Sequence, residues 1–304
     1  MSHKSKTALL GAVMVVFVFL TTSAQTPLNG FFNKQNDLTI AVSYASKSFE
    51  NFYRGKELTP GNPAGMGKIS SNIYSLYAEY CVSDWLSTTA TLPYITLENE
   101  NNVPDPVHQE SEINSLQDLS LFVKARAFKK QFENNAEFTF GGTLGTSVPV
   151  GGYEERGILS IGNGAIAVDG GAIAQYKTAS NLFLELQALY SFRNNINPDH
   201  DLDVPNALLY SAKLGYYNKW FYAHAKIGIQ NSLSGYDIGT PEFVDGGGPA
   251  GLPQTEVDYA TAFFDVYVPF HKSFGISGGY AVNMTGRNQN RDSGFSVGVV
   301  YKAN

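Results

Sequence analysis

Short stretches in which apolar and polar residues alternate recur along most of this chain. The clearest begins at residue 182, where Leu182, Leu184 and Leu186 alternate with Glu185 and Gln187. A period of two residues predicts β-strands whose successive side chains point to opposite faces. Twelve such stretches are predicted, at 38–44, 74–82, 86–97, 118–127, 136–148, 165–177, 182–193, 207–217, 221–230, 257–268, 274–282 and 295–301. In the sixth, Asp169-Gly170-Gly171 indicates a bulge or a bend.

The connections between these stretches differ systematically in length. Turns at 83–85, 129–134, 179–181, 218–220 and 269–273 are short, whereas loops at 98–116, 149–164, 194–205 and 231–254 are long. In outer-membrane barrels, tight turns lie on the periplasmic rim and long loops on the cell surface. We therefore predict an all-β, transmembrane, antiparallel up-and-down barrel of about twelve strands with both termini periplasmic. Ten or fourteen strands are the alternative counts, and a soluble secreted β-sandwich is the rival architecture.

The N-terminus has the pattern of a secretory signal peptide. A basic start with Lys4 and Lys6 precedes an apolar run over 8–20, and a small-residue pattern ends at Ala24. The apolar run is shorter than the roughly 20 residues that a spanning helix needs, which favours a cleaved signal over a membrane anchor. We predict a signal peptide over 1–24, a barrel over 25–304, and export to the outer membrane of a Gram-negative bacterium.

Composition and charge agree with an exported barrel. The chain contains 18 Tyr and 20 Phe, and only 16% of its residues are charged, which suits lipid-facing strands with aromatic girdles. The net charge of -6 becomes -8 without residues 1–24, which hold two lysines and no acid (19 basic against 27 acidic side chains). This balance argues against nucleic acid as a partner. The single cysteine, Cys81, forms no internal disulfide and is predicted to be a small buried or lipid-facing residue.

Signals for catalysis or metal binding are weak. His108, His200, His224 and His271 have no spacing typical of a metal site. His271 and Ser273 form a His-x-Ser pair of the kind found in a lipid-deacylating barrel family, but they lie in a predicted periplasmic turn without an evident acid to orient the base. We therefore predict no catalytic residue, no metal site and no cofactor.

In a membrane barrel, the face of each strand that carries polar residues points into the lumen. Charges there either select a permeant through the local potential or pair across neighbouring strands and stabilise the wall. Aromatic side chains share this face, and an aromatic-lined path with few polar groups favours an apolar or aromatic ligand. The predicted lumen-lining residues are Glu79, Asp118, Phe122, Lys124, Arg126, Glu137, Glu185, Gln187, Arg193, Lys213, Tyr222, His224, Lys226, Tyr259, Phe263, Asp265 and Tyr267.

About a third of the chain resembles a known family. The residues that carry the resemblance are Leu92-Pro93-Tyr94, Gln117-Asp118-Leu119-Ser120-Leu121, Lys124-Ala125-Arg126-Ala127-Phe128 and Val148-Pro149-Val150-Gly151. They are similar to segments of outer-membrane proteins of the meta-pathway phenol-degradation family, which are in turn similar to larger long-chain fatty acid and toluene transporters. Gln117 stands where glycine is usual, and the C-terminus lacks the usual terminal aromatic residue. The segment 26–37 is short for a hatch, so whether the N-terminus or a loop fills the lumen stays open.

Three functions follow from these observations. Passive uptake of small hydrophobic or aromatic compounds is implied by the resemblance and favoured by the inward aromatic residues. A general or ion-selective porin is favoured by the inward charges, and a barrel enzyme or surface-interaction protein by His271, Ser273 and the long acidic loop. The expected partners are outer-membrane lipid, a small hydrophobic or aromatic permeant and the barrel-assembly machinery.

Overall fold

The computed structural model describes residues 28–195 and 202–303. Its wall is a closed, antiparallel, twelve-stranded barrel, which confirms the predicted fold class and strand count. The predicted signal peptide, His200 and part of the predicted loop 194–205 lie outside the described residues. The strands are β1 (Leu38–Phe49), β2 (Asn51–Arg54), β3 (Glu57–Pro60), β4 (Ile69–Ser83), β5 (Leu86–Asn99), β6 (Glu112–Leu116), β7 (Asp118–Gln131), β8 (Glu137–Pro149), β9 (Ala165–Lys177), β10 (Leu182–Asn195), β11 (Ala207–Tyr217), β12 (Tyr222–Ser232), β13 (Asp258–Pro269), β14 (Phe274–Arg287) and β15 (Ser293–Ala303).

The wall closes because β1 pairs with β15 on one side and with β4 on the other. Strands β2 and β3 pair with each other in a hairpin above the wall. Strands β6 and β7 together form one wall strand, since both pair with β5 and only Gln117 separates them. The predicted bounds of the loop 98–116 are therefore wrong at both ends, since β5 extends to Asn99 and β6 begins at Glu112. Ile113 packs against the apolar cluster of Ile95 and Ile161 inside the barrel, and this holds the acid-rich segment on β5.

Alternation along the strands sorts side chains between lipid and lumen as predicted. On β4, Tyr74, Leu76 and Tyr80 are 52%, 50% and 42% exposed, whereas Tyr77 and Glu79 on the other parity point inward. Apolar side chains this exposed belong in lipid. The outward face of the barrel is therefore the membrane-facing surface.

The predicted irregularity in the sixth wall strand, β9, is absent. Its pairing with β8 and β10 runs without a register shift through Gly170 and Gly171. A Cβ atom on Gly171 would collide with the backbone of Ala188 on β10, so the glycine serves close strand pairing. Register shifts occur instead in the pairings of β4 with β5, β7 with β8 and β13 with β14.

The two rims of the barrel differ, which fixes its orientation. One rim carries only turns of two to five residues, ringed by the exposed aromatic side chains of Trp85, Phe132, Trp220 and Phe270. The other carries the long loops, including one with the short helix α1 (Pro241–Asp245), although β14 and β15 are joined there by five residues. The short-turn rim is periplasmic and the long-loop rim faces the cell surface. Within the described residues, none of the helices has the length and apolarity needed to span a bilayer.

Candidate functional site

The lumen contains a cavity of about 410 Å³, lined by residues from most of the wall strands. Leu28, Phe122, Leu209 and Phe263 supply apolar surface. Serine and threonine hydroxyl groups supply much of the rest, and the charged lining residues are Asp118, Asp169, Arg193, Lys213, His224, Lys226 and Asp265. The lining is therefore more polar than an aromatic path with few polar groups. Its volume lies in the range typical of small-molecule sites.

Residues 28–36, the N-terminal segment, cross the lumen below this cavity. The Gln35 amide donates to Asp84 in the first periplasmic turn, and the Asn36 amide donates to the carbonyl oxygen of Cys81. At the other end of the segment, Leu28 forms part of the cavity floor. The N-terminus therefore fills the periplasmic half of the lumen, which decides the question that the sequence left open.

Lys124 on β7 holds this segment from one side of the wall. The side chain is fully buried, and its Nζ donates to the carbonyl oxygens of Asn29 at 2.6 Å and Phe31 at 2.7 Å. The same ammonium lies 3.2 Å from Glu79 on β4. All three donors of the lysine are thus satisfied, two of them by the N-terminal segment.

Glu185 on β10 holds the segment from the opposite side. Its buried carboxylate accepts from the Gly30 amide at 2.7 Å and from Lys213 Nζ at 2.8 Å. Gln187 donates to the same carboxylate at 2.7 Å and to the carbonyl oxygen of Leu28 at 3.2 Å. A Cβ atom on Gly30 would lie 2.8 Å from the Glu185 carboxylate, so a larger residue would displace this side chain from its present position.

Aromatic contacts also hold the N-terminal segment in the lumen. Phe31 packs edge-on against Phe183, Tyr217 and Tyr222, with ring centroids 5.0, 5.9 and 6.0 Å away. Phe32 lies under the cations of Lys124 and Arg126, at 4.8 and 5.5 Å from its ring centroid. These residues fill space with apolar surface, so the segment is packed as well as hydrogen-bonded.

The loop 150–164, here called the inner loop, narrows the cell-surface end of the lumen, and its Asn163 lines the cavity. Ile161 packs against Ala45, Ile73 and Ile95 on the inner face of the wall. Leu159 is fully buried in a second apolar cluster at the same rim. The loop therefore folds into the barrel mouth and does not project into solvent.

Polar contacts fix the inner loop in this position. Asp105 accepts from the amides of Ile158 and Leu159 at 2.6 and 2.9 Å, and Gln117 donates to the carbonyl oxygen of Ile161 at 2.7 Å. Tyr153 donates to Asp118 at 2.5 Å. Burial and the negative charge of Asp118 raise the pKa of the Tyr153 hydroxyl above its usual value, so it remains a donor. The Gln117 side chain thus binds the inner loop.

A group of ionisable side chains lies on one wall of the cavity, on β11, β12 and β13. His224 Nε2 is 3.0 Å from Asp265, and Lys213 is engaged by Glu185. Lys226 lies over the ring of Phe263, with its Nζ 5.3 Å from the ring centroid. On β10, Arg193 donates to Gln230 at 2.9 Å. These side chains give the cavity one strongly polar wall.

Most of the predicted lumen residues lie in two groups, one around the cavity and one around the N-terminal segment below it. The cavity is lined by Asp118, Phe122, Arg193, Lys213, His224, Lys226, Phe263 and Asp265. The N-terminal segment contacts Glu79, Lys124, Arg126, Glu185, Gln187 and Tyr222. Three others lie away from both: Glu137 pairs with Lys129 and Lys177 near the periplasmic rim, Tyr267 lies beneath Lys302, and Tyr259 lines a groove near the cell-surface rim.

Two functional elements were missed by the strand pattern. Asn29, Gly30 and Phe31 have no period-two alternation, and neither do Tyr153 and Ile161 in the inner loop. The sequence feature that could have revealed both segments is the presence of apolar residues within otherwise polar, glycine-rich connections. A loop exposed to water gains nothing from Ile158, Leu159 and Ile161 in near succession.

The alternative catalytic pair is not arranged as a dyad. Ser273 donates its backbone amide to His271 Nδ1 at 3.3 Å, which is a contact within the turn. In the described part of the chain, no three or more His, Cys, Asp or Glu side chains form a group suited to a metal ion.

Comparison with known families identifies the chain. The family described as MetA-pathway of phenol degradation matches residues 79–297. The chain belongs to this family. The match to the MetA-pathway family runs from β4 to β15 and excludes the N-terminal segment. A comparison with curated proteins finds no significant match.

Solved structures share its fold at low sequence identity. An outer membrane channel from Pseudomonas putida has a TM-score of 0.67 and 14% identity, covering 90% of this chain and 99% of that chain. The translocator domain of the autotransporter NalP from Neisseria meningitidis has a TM-score of 0.42 and 14% identity, covering 88% and 89%. A mutant of the monoaromatic hydrocarbon channel TodX has a TM-score of 0.41 and 13% identity, covering 90% and 91%. The first similarity supports the fold of an outer-membrane β-barrel.

Proposed function

We propose that this protein is an outer-membrane channel for passive uptake of small hydrophobic or aromatic compounds. The observation that carries the proposal is the cavity of about 410 Å³ between the N-terminal segment and the inner loop. A chamber bounded by chain segments on both sides suits a single small molecule taken out of water. A general porin instead keeps a water-filled channel.

Family membership supports this proposal, since the family is described by a pathway of phenol degradation. The similar protein from Pseudomonas putida is also described as a channel. Apolar surfaces of Leu28, Phe122, Leu209 and Phe263 are available inside the cavity to a ring of the permeant. Passage requires the N-terminal segment or the inner loop to move, because each occupies part of the lumen.

The proposal is tested by uptake into intact cells, whose outer membrane resists hydrophobic compounds. Cells that produce the protein are expected to take up labelled toluene at micromolar concentration faster than cells with an empty vector. Equal initial rates, with folded protein present in the outer membrane, would contradict the proposal.

An ion-selective porin is the second candidate, because charged side chains occupy one wall of the cavity. Planar-bilayer recording separates the two. A channel closed by the N-terminal segment gives little steady current, whereas a porin conducts continuously. A large, steady conductance of the unmodified protein would favour the porin.

We further infer that residues 1–24 form a cleaved signal peptide and that the barrel-assembly machinery inserts the mature chain into the outer membrane of a Gram-negative bacterium. The lysines at positions 4 and 6, the apolar run and the small residues before Gln25 support export. N-terminal sequencing of the mature protein is expected to begin at Gln25.

A further inference from the structure

We propose that Lys226 and His224 form an anion subsite in the cavity, which binds the carboxylate of a small aromatic acid. This inference rests on the proposed uptake function and deepens it. It narrows the substrate class from small hydrophobic or aromatic compounds to compounds with one ring and one carboxylate.

Lys226 supplies a cation that no described carboxylate approaches to ion-pair distance. Its direct cross-strand neighbour on β11 is Lys213, and like charges in this position repel each other. Glu185 engages Lys213 at 2.8 Å, whereas Lys226 forms no ion pair with any carboxylate in the described part of the chain. Lys226 is half-buried, and an ammonium there without an ion-pair partner is costly, so this wall favours an anion near Lys226.

His224 supplies a second unsatisfied polar atom. It lies two residues before Lys226 on β12, so both side chains point to the same face, and both line the cavity. Its Nε2 is 3.0 Å from Asp265, while its buried Nδ1 has no hydrogen-bond partner. A carboxylate that accepts from Lys226 can also accept from this nitrogen when Nδ1 carries a hydrogen, because a carboxylate oxygen has no hydrogen of its own to donate.

The surroundings suit the rest of such a molecule. Phe263 is the cross-strand neighbour of Lys226 and lines the same cavity, as do Phe122 and Leu209. These side chains offer apolar surface to a ring whose carboxylate reaches the polar wall.

The cavity acids leave this subsite open to an anion. Asp118 accepts the hydroxyl hydrogen of Tyr153, and Asp265 is held by His224. Asp169 is opposite Ser191 on β10, which places it diagonally across from Arg193. Among the lining cations that the structure describes, Arg193 and Lys226 have no carboxylate within ion-pair distance, but Arg193 donates to Ser191 and Gln230. An entering carboxylate therefore meets an ammonium without a hydrogen-bonded acceptor at Lys226.

The test is equilibrium binding by calorimetry to the purified, detergent-solubilised barrel, with benzoate and methyl benzoate as probes. The unmodified protein is expected to bind benzoate at least tenfold more tightly than the uncharged ester. Lys226→Met is expected to weaken benzoate binding at least tenfold and ester binding less than twofold. Lys226→Arg is expected to retain benzoate binding, because it retains the charge. The control Lys219→Met, which removes a cation from an exposed periplasmic turn, is expected to change neither affinity.

The outcomes separate the subsite from the proposed function. Equal affinity of the unmodified protein for benzoate and its ester, or no loss of benzoate affinity in a folded Lys226→Met barrel, overturns the subsite. If Lys226→Met fails to fold, the subsite is tested with His224→Phe and Lys226→Arg instead. The subsite then requires that His224→Phe weakens benzoate binding and that Lys226→Arg retains it. Failure of the protein to accelerate uptake of any aromatic compound into cells overturns the proposed function instead.

Discussion

The Lys124→Met substitution is expected to release the N-terminal segment from the wall. Lys124 Nζ donates to two carbonyl oxygens of this segment, at 2.6 and 2.7 Å. A hydrogen bond to a charged group contributes about 1.5–3 kcal/mol, so the two bonds stabilise the docked segment by about 3–6 kcal/mol. This is an upper bound, because Glu185, Gln187 and the packing of Phe31 still hold the segment. A loss of about 1.4 kcal/mol, less than half of the lower figure, is enough to raise the undocked population about tenfold.

The single cysteine reports this release. Cys81 on β4 is 2% exposed, and its backbone hydrogen-bonds with Asn36 and Asp37 at the end of the N-terminal segment. A water-soluble charged maleimide therefore reaches the thiol when the segment leaves. The expected result is a modification rate at least tenfold higher in folded Lys124→Met than in the unmodified protein. The control Lys130→Met, at an exposed position of the same strand, is expected to leave the rate unchanged.

The reasoning is refuted if the folded Lys124→Met barrel reacts as slowly as the unmodified protein. Removal of the lysine alone leaves Glu79 as a buried carboxylate without its ion-pair partner, which destabilises the wall itself. The double variant Lys124→Met/Glu79→Gln removes this charge and is expected to react as fast as the single variant. A slow double variant would show that the wall, and not the segment, controls access.

Three further predictions concern the inner loop, the lipid face and the cell-surface loops. Tyr153→Phe removes the hydrogen bond to the wall aspartate and is expected to increase the frequency of brief openings in bilayer recordings; an unchanged frequency contradicts a role in closure. Leu186→Arg, on the lipid face, is expected to destabilise the barrel by about 2–4 kcal/mol, and Leu182→Arg, at the strand end, by about 0–1 kcal/mol, measured by urea unfolding in lipid vesicles. The hydrogen bond from Arg287 lowers the pKa of Asp237, so its contribution to loop stability is present above its unfolded-state pKa and is lost as the pH falls below about 4. Proteolysis of that loop should accelerate there, and Asp237→Asn should show the fast rate already at neutral pH.

The wall of the barrel was predictable because one physical rule acts on every strand. Lipid outside and a polar lumen inside impose a period of two, so Leu182, Leu184 and Leu186 are sufficient to mark a strand and its outer face. Loop lengths then fix the orientation. The rule fails where two environments meet, as at Glu112–Leu116, where Glu112 indicates water while Ile113 packs into the barrel.

The candidate site was predictable only in part. Inward parity predicts that Lys226 and His224 face the lumen, because strand alternation decides which face they occupy, and both side chains line the cavity. It does not tell a cavity-lining lysine from Lys124, which is used to hold the N-terminal segment. That difference depends on tertiary contacts of residues 28–36, for which a single sequence gives no periodic signal.

The central claim is that small aromatic molecules pass through the cavity. It is tested most directly by comparing two tryptophan variants, one on β9 and one on β11, the two strands that flank β10. Ala167→Trp places a large side chain in the cavity, whereas Ala212→Trp places it on the lipid-facing side of β11. In cells with equal amounts of folded barrel, Ala167→Trp is predicted to reduce the initial uptake rate of a labelled aromatic compound at least tenfold, with Ala212→Trp unchanged. Uptake through Ala167→Trp at the rate of the unmodified protein would contradict the claim.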